Sequence, residues 1–390
     1  MAASALLLSG PLGLGHEMPV RSFTDVLAKA GWRVRSRDSM SLLGDGAGRA
    51  GQRVFDRLMT VPGVYDGLHF AQFRTGGRAA RLAERLAARP AVPELRAELL
   101  RDPADLVLSV FPTGALAAAR LRDQQPAAGG RWFRAVVYCP DVTAHKLWVH
   151  EGTDLFLVSS PAAAASVRRF LPRAPVALVP PPVRAAFYDA PSQAAARRQL
   201  GVPAAARCAL LIDSGWGFAP LAAAAAAIAG AGAHVLAVAG RNPRVERELR
   251  ELAATRPALR PFGFTDAVPA LMAAADLVIA LPGAATCAEA RVVGRPLLLL
   301  DVMPGHGRDN LLHELEQGGA DVCGPAAADI ARNALAAFDR AVTRADTRSR
   351  AAPRWEPAFA KALGELGLDI SADDAGGAPP VTPAMTRTPT

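Results

Sequence analysis

Cysteine is scarce in this 390-residue chain, and its four copies, Cys139, Cys208, Cys287 and Cys323, stand far apart. No Cys-X-X-Cys pair and no Cys/His cluster occurs, which speaks against a zinc site. Each cysteine lies in or beside an apolar run, so buried free thiols in a reducing compartment are expected. Aromatic residues make up only 6% of the chain, so the core must be built mainly from Ala, Leu and Val. The first eight residues lack the basic start and long apolar stretch of a signal peptide. No apolar run of about 20 residues reads as a membrane span rather than as a core element. The expected location is the cytoplasm, with any membrane contact peripheral. No Asp-X-Asp triplet occurs anywhere, so no acidic pair of that kind is available to hold a divalent cation beside a diphosphate.

What is present is size, basic charge on one side and a regular rhythm. A chain of this length fits two domains plus a tail. Residues 1–184 hold 24 Lys/Arg against 15 Asp/Glu, whereas residues 185–390 hold 20 against 21. The basic excess therefore lies wholly in the first half. It fits an anionic partner, nucleic acid or acidic lipid, or else a solvated arginine-rich face.

Short apolar runs alternate with longer Ala/Arg/Leu/Glu segments, the βαβ rhythm of a parallel sheet. Strands are expected at residues 5–9, 32–36, 105–109, 135–139, 155–159 and 176–179. A second series follows at 208–213, 234–239, 277–280 and 296–300. Helices are expected at residues 19–30, 221–229, 243–254, 327–344 and 357–366. Pro180-Pro181-Pro182 is a stiff link between the two series. The expected organisation is an α/β chain of two Rossmann-like, doubly wound domains, 1–181 and 182–350, facing across a cleft. A C-terminal helix at 351–371 and a Pro/Thr/Gly-rich tail at 372–390 complete it, and the tail is expected to be disordered. In such sheets ligands bind beyond the carboxyl ends of the strands, so each domain should hold one substrate.

Two segments carry the candidate chemistry. Gly10-Pro11-Leu12-Gly13-Leu14-Gly15-His16 follows the first strand and opens a helix. Its spacing does not fit the Gly-X-Gly-X-X-Gly dinucleotide fingerprint, which disfavours a nicotinamide cofactor. His16 is placed either to take a proton from an acceptor hydroxyl or merely to cap the turn. The second segment is Pro282-Gly283-Ala284-Ala285-Thr286 with Glu289 beyond it. A small-residue loop that starts a helix is an anion cradle. The amides of 284–286 and the Thr286 hydroxyl suit a pyrophosphate. Glu289 suits ribose hydroxyls, or is an ordinary acid favoured by the helix dipole.

The order of these motifs resembles the GT-B glycosyltransferases that include monogalactosyldiacylglycerol synthase, processive diacylglycerol glucosyltransferases and the peptidoglycan N-acetylglucosaminyltransferase. The resemblance runs from about Ala5 to Gly324. It rests on Gly15-His16, on Cys139-Pro140-Asp141 with His145 and Trp148, and on Pro182-Val183 with Phe187-Tyr188. In the second half it rests on Ser214-Gly215-Trp216-Gly217, Gly240-Arg241-Asn242, Gly263-Phe264-Thr265, Pro282 to Glu289, and Pro304-Gly305-His306-Gly307 with Asn310.

The resemblance implies a UDP-sugar co-substrate in the second domain, a lipid acceptor in the first, and inversion without a metal or other cofactor. It implies catalytic roles for His16 and Asp141. It implies donor contacts from Ser214, Gly215, Gly240, Arg241, Asn242, Gly263, Phe264, Pro282, Gly283, Ala284, Ala285, Thr286, Glu289, His306 and Asn310. Gly13, Gly15, His145 and Trp148 are implied on the acceptor side. Residues 49–89, with eight arginines, fit the family's membrane-facing segment. Arg53 and Arg57 among aromatic Tyr65, Phe70 and Phe73 suit an anionic bilayer surface, and no nucleic-acid motif accompanies them. Ala284, His306 and Gly307 depart from the family's Gly, Gln and Glu. A soluble natural-product acceptor and a non-catalytic nucleotide-sugar or lipid binder are the alternatives.

Overall fold

The computed structural model describes residues 2–10, 14–44, 63–124, 133–212, 220–343 and 352–370, with positions 46, 48, 50, 51, 53 and 57 between the second and third of these. Gly13, Ser214, Gly215 and the 372–390 tail lie outside the described residues.

Twelve strands form two six-stranded sheets, parallel throughout. The first contains β1 (Ser4–Ser9), β2 (Arg33–Asp38), β3 (Leu106–Ser109), β4 (Arg134–Cys139), β5 (Leu155–Val158) and β6 (Val176–Leu178), in the order β2-β1-β3-β4-β5-β6. The second contains β7 (Cys208–Ile212), β8 (His234–Val238), β9 (Leu259–Phe262), β10 (Leu277–Ala280), β11 (Leu297–Leu300) and β12 (Ala320–Cys323), in the order β12-β11-β10-β7-β8-β9. The central strands read as unbroken apolar runs because helices cover both faces of a parallel sheet. Every residue of β3, β5, β10 and β11 is buried. Arginine-rich β2 lies at a sheet edge, where Arg33 bonds Asp102 and Arg37 bonds Glu94 and Glu98.

Strand order reverses between β1 and β3 in the first lobe and between β7 and β10 in the second. These are the switch points at which doubly wound sheets open a ligand crevice. His16 lies just after β1, and the 281–286 segment just after β10. The helices that start there, Leu14–Lys29 and Ala284–Val293, pack against each other across the lobes.

The chain then returns to its first lobe. Helix Glu356–Gly364 places Phe359, Ala362 and Leu363 in the first-lobe core beside Phe23, Tyr138 and Leu157. Phe23 meets Trp355 at 5.2 Å and Phe359 at 4.9 Å between ring centroids. The Trp355 indole donates to the Val183 carbonyl (2.9 Å), and the Trp32 indole to that of Asp369 (3.1 Å). Burying an aromatic of this size stabilises the lobe by about 1.5–3 kcal/mol.

All four cysteines are buried and free. Among the described residues no helix is long and apolar enough to cross a membrane.

Candidate active site

His16 is half-buried as the third residue of its helix, and Nδ1 lies 2.8 Å from the Val110 carbonyl. A carbonyl only accepts, so Nδ1 carries the hydrogen and Nε2 of the neutral ring keeps its lone pair. Phe111 packs edge-on against the ring at 5.1 Å, and Trp148 lies 6.3 Å away. Burial lowers the His16 pKa below its usual value. The Asp141 charge and the Val110 hydrogen bond oppose that shift, and His306 adds to it. At neutral pH the ring is therefore unprotonated, as a general base requires. The residue that orients His16 is Val110, beyond β3. Asp141 acts on His16 through its charge, and its Oδ1 accepts from Asn310 Nδ2 at 3.0 Å.

Asp141 follows β4. Burial raises its carboxyl pKa, but the fields of His306, His16 and His145 and the Asn310 bond outweigh burial and leave it below the ordinary value. Asn310 is itself buried and accepts from the Val142 amide at 3.1 Å. Its neighbour Asp309 accepts from Thr143 Oγ1 (2.6 Å) and pairs with Arg74 (3.1 Å). On the other side of that helix start, the Gly305 amide donates to Asp66 at 2.6 Å. Gly305 has φ +65°, and a Cβ there would come within 2.5 Å of the Tyr65 ring. The start of helix His306–Gln317 is thus clasped by two segments of the first lobe.

Tyr65, expected on the membrane surface, is only 3% exposed and belongs to this clasp. It cannot enter a bilayer while it packs on Gly305. Phe70 and Phe73 are half-buried, Phe73 beside His145 at 6.0 Å and Phe70 beneath the Arg74 guanidinium at 5.6 Å. Arg53 and Arg57 are exposed.

Four of the seven histidines gather here. His69 stacks on Tyr65 at 5.8 Å, meets His145 edge-on at 5.6 Å, and lies 6.3 Å from His306. Burial lowers the His69 pKa to about 4 and the His145 pKa to about 3. Nothing in the sequence singles out His69. The motifs around it are too short to mark it, and only the fold brings it to His306. Among the described residues no group of three or more His, Cys, Asp or Glu side chains is arranged to hold a metal ion.

In the second lobe, Gly283 precedes helix Ala284–Val293, whose first internal bond runs from the Cys287 amide to the Gly283 carbonyl at 3.0 Å. The amides of Ala284, Ala285 and Thr286 come before it, and the helix dipole makes that end attractive to an anion. Pro282 is buried and Gly283 half-buried at its mouth. Glu289, 8% exposed, sits on the same helix. Burial raises its pKa to about 7, with Arg184 acting in the opposite sense.

Arg241 is not free for an anion. It bonds Glu17 of the first lobe at 2.7 Å and lies over the Phe264 ring at 4.3 Å. Asn242 caps helix Pro243–Ala253, its side chain accepting from the Val245 amide at 3.2 Å. Gly240 takes φ +59°, and a Cβ on Gly263 would meet the Glu246 carboxylate at 2.8 Å.

A model of the glycosyltransferase family 28 C-terminal domain matches residues 219–312. The UDP-N-acetylglucosamine–N-acetylmuramyl-(pentapeptide) pyrophosphoryl-undecaprenol N-acetylglucosamine transferase of Mycobacterium tuberculosis is 30% identical over 340 residues, which cover 83% of this chain and 78% of that protein. The probable chloroplastic monogalactosyldiacylglycerol synthase of Glycine max is 26% identical over 238 residues, covering 58% of this chain. That match spans only 44% of the soybean protein, so the chain covers less than half of this relative's length. The crystal structure of Acinetobacter baumannii MurG superposes with a TM-score of 0.56 at 14% identity, covering 94% of this chain and all of that one. The paired doubly wound lobes and the matched sequence agree: the chain belongs to glycosyltransferase family 28 and has the GT-B fold.

Proposed function

We propose that the chain transfers a hexose from a UDP-sugar to a hydroxyl of a diacylglycerol-like lipid, with inversion at the anomeric carbon and without a metal. The observation that carries this reading is His16, whose Nδ1 is committed to Val110 while Nε2 is left basic at the switch point between β1 and β3. The acceptor hydroxyl gives its proton to Nε2. Its oxygen bonds the anomeric carbon as the bond to the β-phosphate oxygen breaks, and UDP leaves with that electron pair. Asp141 stabilises the imidazolium so formed. The 284–286 amides meet the charge growing on the leaving phosphate, fixed donors of the kind that stabilise such charge best. Glu289 faces the ribose and His306 the sugar, while Asn310 holds Asp141 beside them.

The lipid acceptor is supported by what the relatives' names specify, a galactosyldiacylglycerol product and an undecaprenol-linked substrate. It is also supported by the surface of helix Arg78–Arg101. Leu82 and Leu86 are more than half exposed there among Arg78, Arg81, Arg85 and Arg89, and Leu100 is so at the far end of the same helix. Apolar anchors with basic neighbours suit peripheral binding to an anionic bilayer.

The test is UDP release from a panel of UDP-sugars on diacylglycerol-containing vesicles, with and without EDTA. Turnover indifferent to EDTA is expected, and EDTA sensitivity would remove the metal-free mechanism. Vesicle co-sedimentation should need anionic lipid and weaken with salt. Binding insensitive to both would remove the docking surface.

A further inference from the structure

His69 is 1% exposed, and neither ring nitrogen finds a hydrogen-bond partner among the described residues. His145 Nδ1 is likewise buried and unbonded. A neutral imidazole carries one N–H donor and one bare acceptor. Burying both unpaired gives up their hydration without return, so a group in this condition calls for a reason.

The surroundings supply one. His69 opens the π-helical turn His69–Phe73 of the first lobe, yet it faces His306, the first residue of helix His306–Gln317 in the second. The charges that act on His69 are His306, Asp309, Asp141 and Arg74, and Asp141 and His306 also act on His16. Unused hydrogen-bonding capacity from the first lobe is therefore gathered beside His306 and close to the base. These imidazoles are not arranged to share a metal ion. Alcohol hydroxyls suit them, since each accepts from an N–H and donates to a bare ring nitrogen. The position of the ring depends on lobe closure. Asp66, three residues earlier, holds the Gly305 amide and lies 3.5 Å from Arg308, and Arg74, five residues later, pairs with Asp309.

We propose that His69 hydrogen-bonds the hydroxyls of the sugar on the nucleotide donor, so that the acceptor lobe selects the donor sugar and reads it only as the lobes close. This rests on the reading that the cleft takes a UDP-sugar. With the lobes together His69 is only 1% exposed, so the sugar reaches its nitrogens when the lobes part.

The experiment compares wild type, His69→Ala, His69→Gln and Asp66→Ala. It measures kcat and KM for UDP-glucose, UDP-galactose and UDP-N-acetylglucosamine on diacylglycerol vesicles, and Kd for UDP alone. With His69→Ala, KM for the preferred donor should rise at least tenfold. The ratio of kcat/KM between sugars should fall toward one, while the UDP Kd stays within twofold. His69→Gln, which keeps a donor and an acceptor, should restore part of the ratio. Asp66→Ala should raise KM for all three donors alike, leaving the ratio in place. An unchanged ratio in His69→Ala overturns the proposal, as does a loss of UDP affinity equal to the rise in KM, which would mark His69 as structural. A wild type that turns over none of the donors overturns the functional reading itself, and the role of His69 with it.

Discussion

Replacing Glu289 by glutamine should flatten the pH dependence of stability. Burial lifts this carboxyl from its ordinary 4.5 to about 7. At about 1.4 kcal/mol per pH unit, folding disfavours the carboxylate by about 3 kcal/mol. The folded value is the raised one, so the contribution is fully present below pH 4.5 and is lost as pH rises through 7. Urea unfolding of both proteins at half-unit steps from pH 4.5 to 8.5 measures it. Glu289→Gln should gain about 3 kcal/mol on wild type across that range, with most of the change below pH 7. Taking the difference between the two proteins cancels the other titrating groups. A ribose hydroxyl donating to the carboxylate would favour its ionised form. UDP binding near pH 7 should therefore release up to about half a proton in wild type and none in the variant, read by calorimetry in buffers of different ionisation enthalpy. A stability difference that is flat with pH would refute the buried carboxyl, and equal proton release in both proteins would refute its contact with the nucleotide.

Three further outcomes are expected. His16→Ala should cut UDP release by about 10²–10⁴-fold, while losing about 1–3 kcal/mol of stability with the Val110 bond, and the acid limb of wild-type activity should lie below pH 6.5, because burial lowers the His16 pKa; an acid limb above 6.5 would contradict the burial. His69 and His145, held near 4 and 3 in the folded chain, lose protons on folding, so each should cost up to about 1.4 kcal/mol of stability per pH unit as pH falls below 6.5; His69→Gln should flatten that slope in acid unfolding. Phe359→Ala should destabilise the first lobe by about 3–5 kcal/mol, seen as an early transition in thermal unfolding, while UDP still binds the second lobe.

The strands that proved easiest to read are those whose chemistry leaves no choice. Leu106–Ser109, Leu155–Val158 and Leu277–Ala280 are buried at every residue and almost wholly apolar, which only a buried parallel strand sustains over so short a run. The expected strands at 5–9, 135–139 and 208–213 lie within a residue of β1, β4 and β7 at each end. Two edge strands carry no such signal. Leu259-Arg260-Pro261-Phe262 carries a proline and an arginine, and Ala320-Asp321-Val322-Cys323 an acid, because an edge tolerates what a centre excludes. At the site, His16 and Gly283 were visible because a glycine-rich turn after a strand has few other uses. Val110, Asp66 and His69 were not, since a carbonyl has no side-chain signature and the clasp joins residues over 200 positions apart. Tyr65 is ambiguous in the sequence for a related reason. An aromatic among arginines looks the same in sequence whether it faces lipid or Gly305.

The helix at Glu356–Gly364 sets an order on how the protein is made. Phe23 and Trp32 leave the ribosome early, but their partners Trp355, Phe359 and Asp369 come more than 300 residues later. The first lobe therefore has to wait, with part of its apolar face bare, while the second is translated and able to fold on contacts of its own. Any stall or nick upstream of Trp355 would leave the lobe that was synthesised first as the one left unfinished, a natural target for chaperones in the interval and for proteases afterwards.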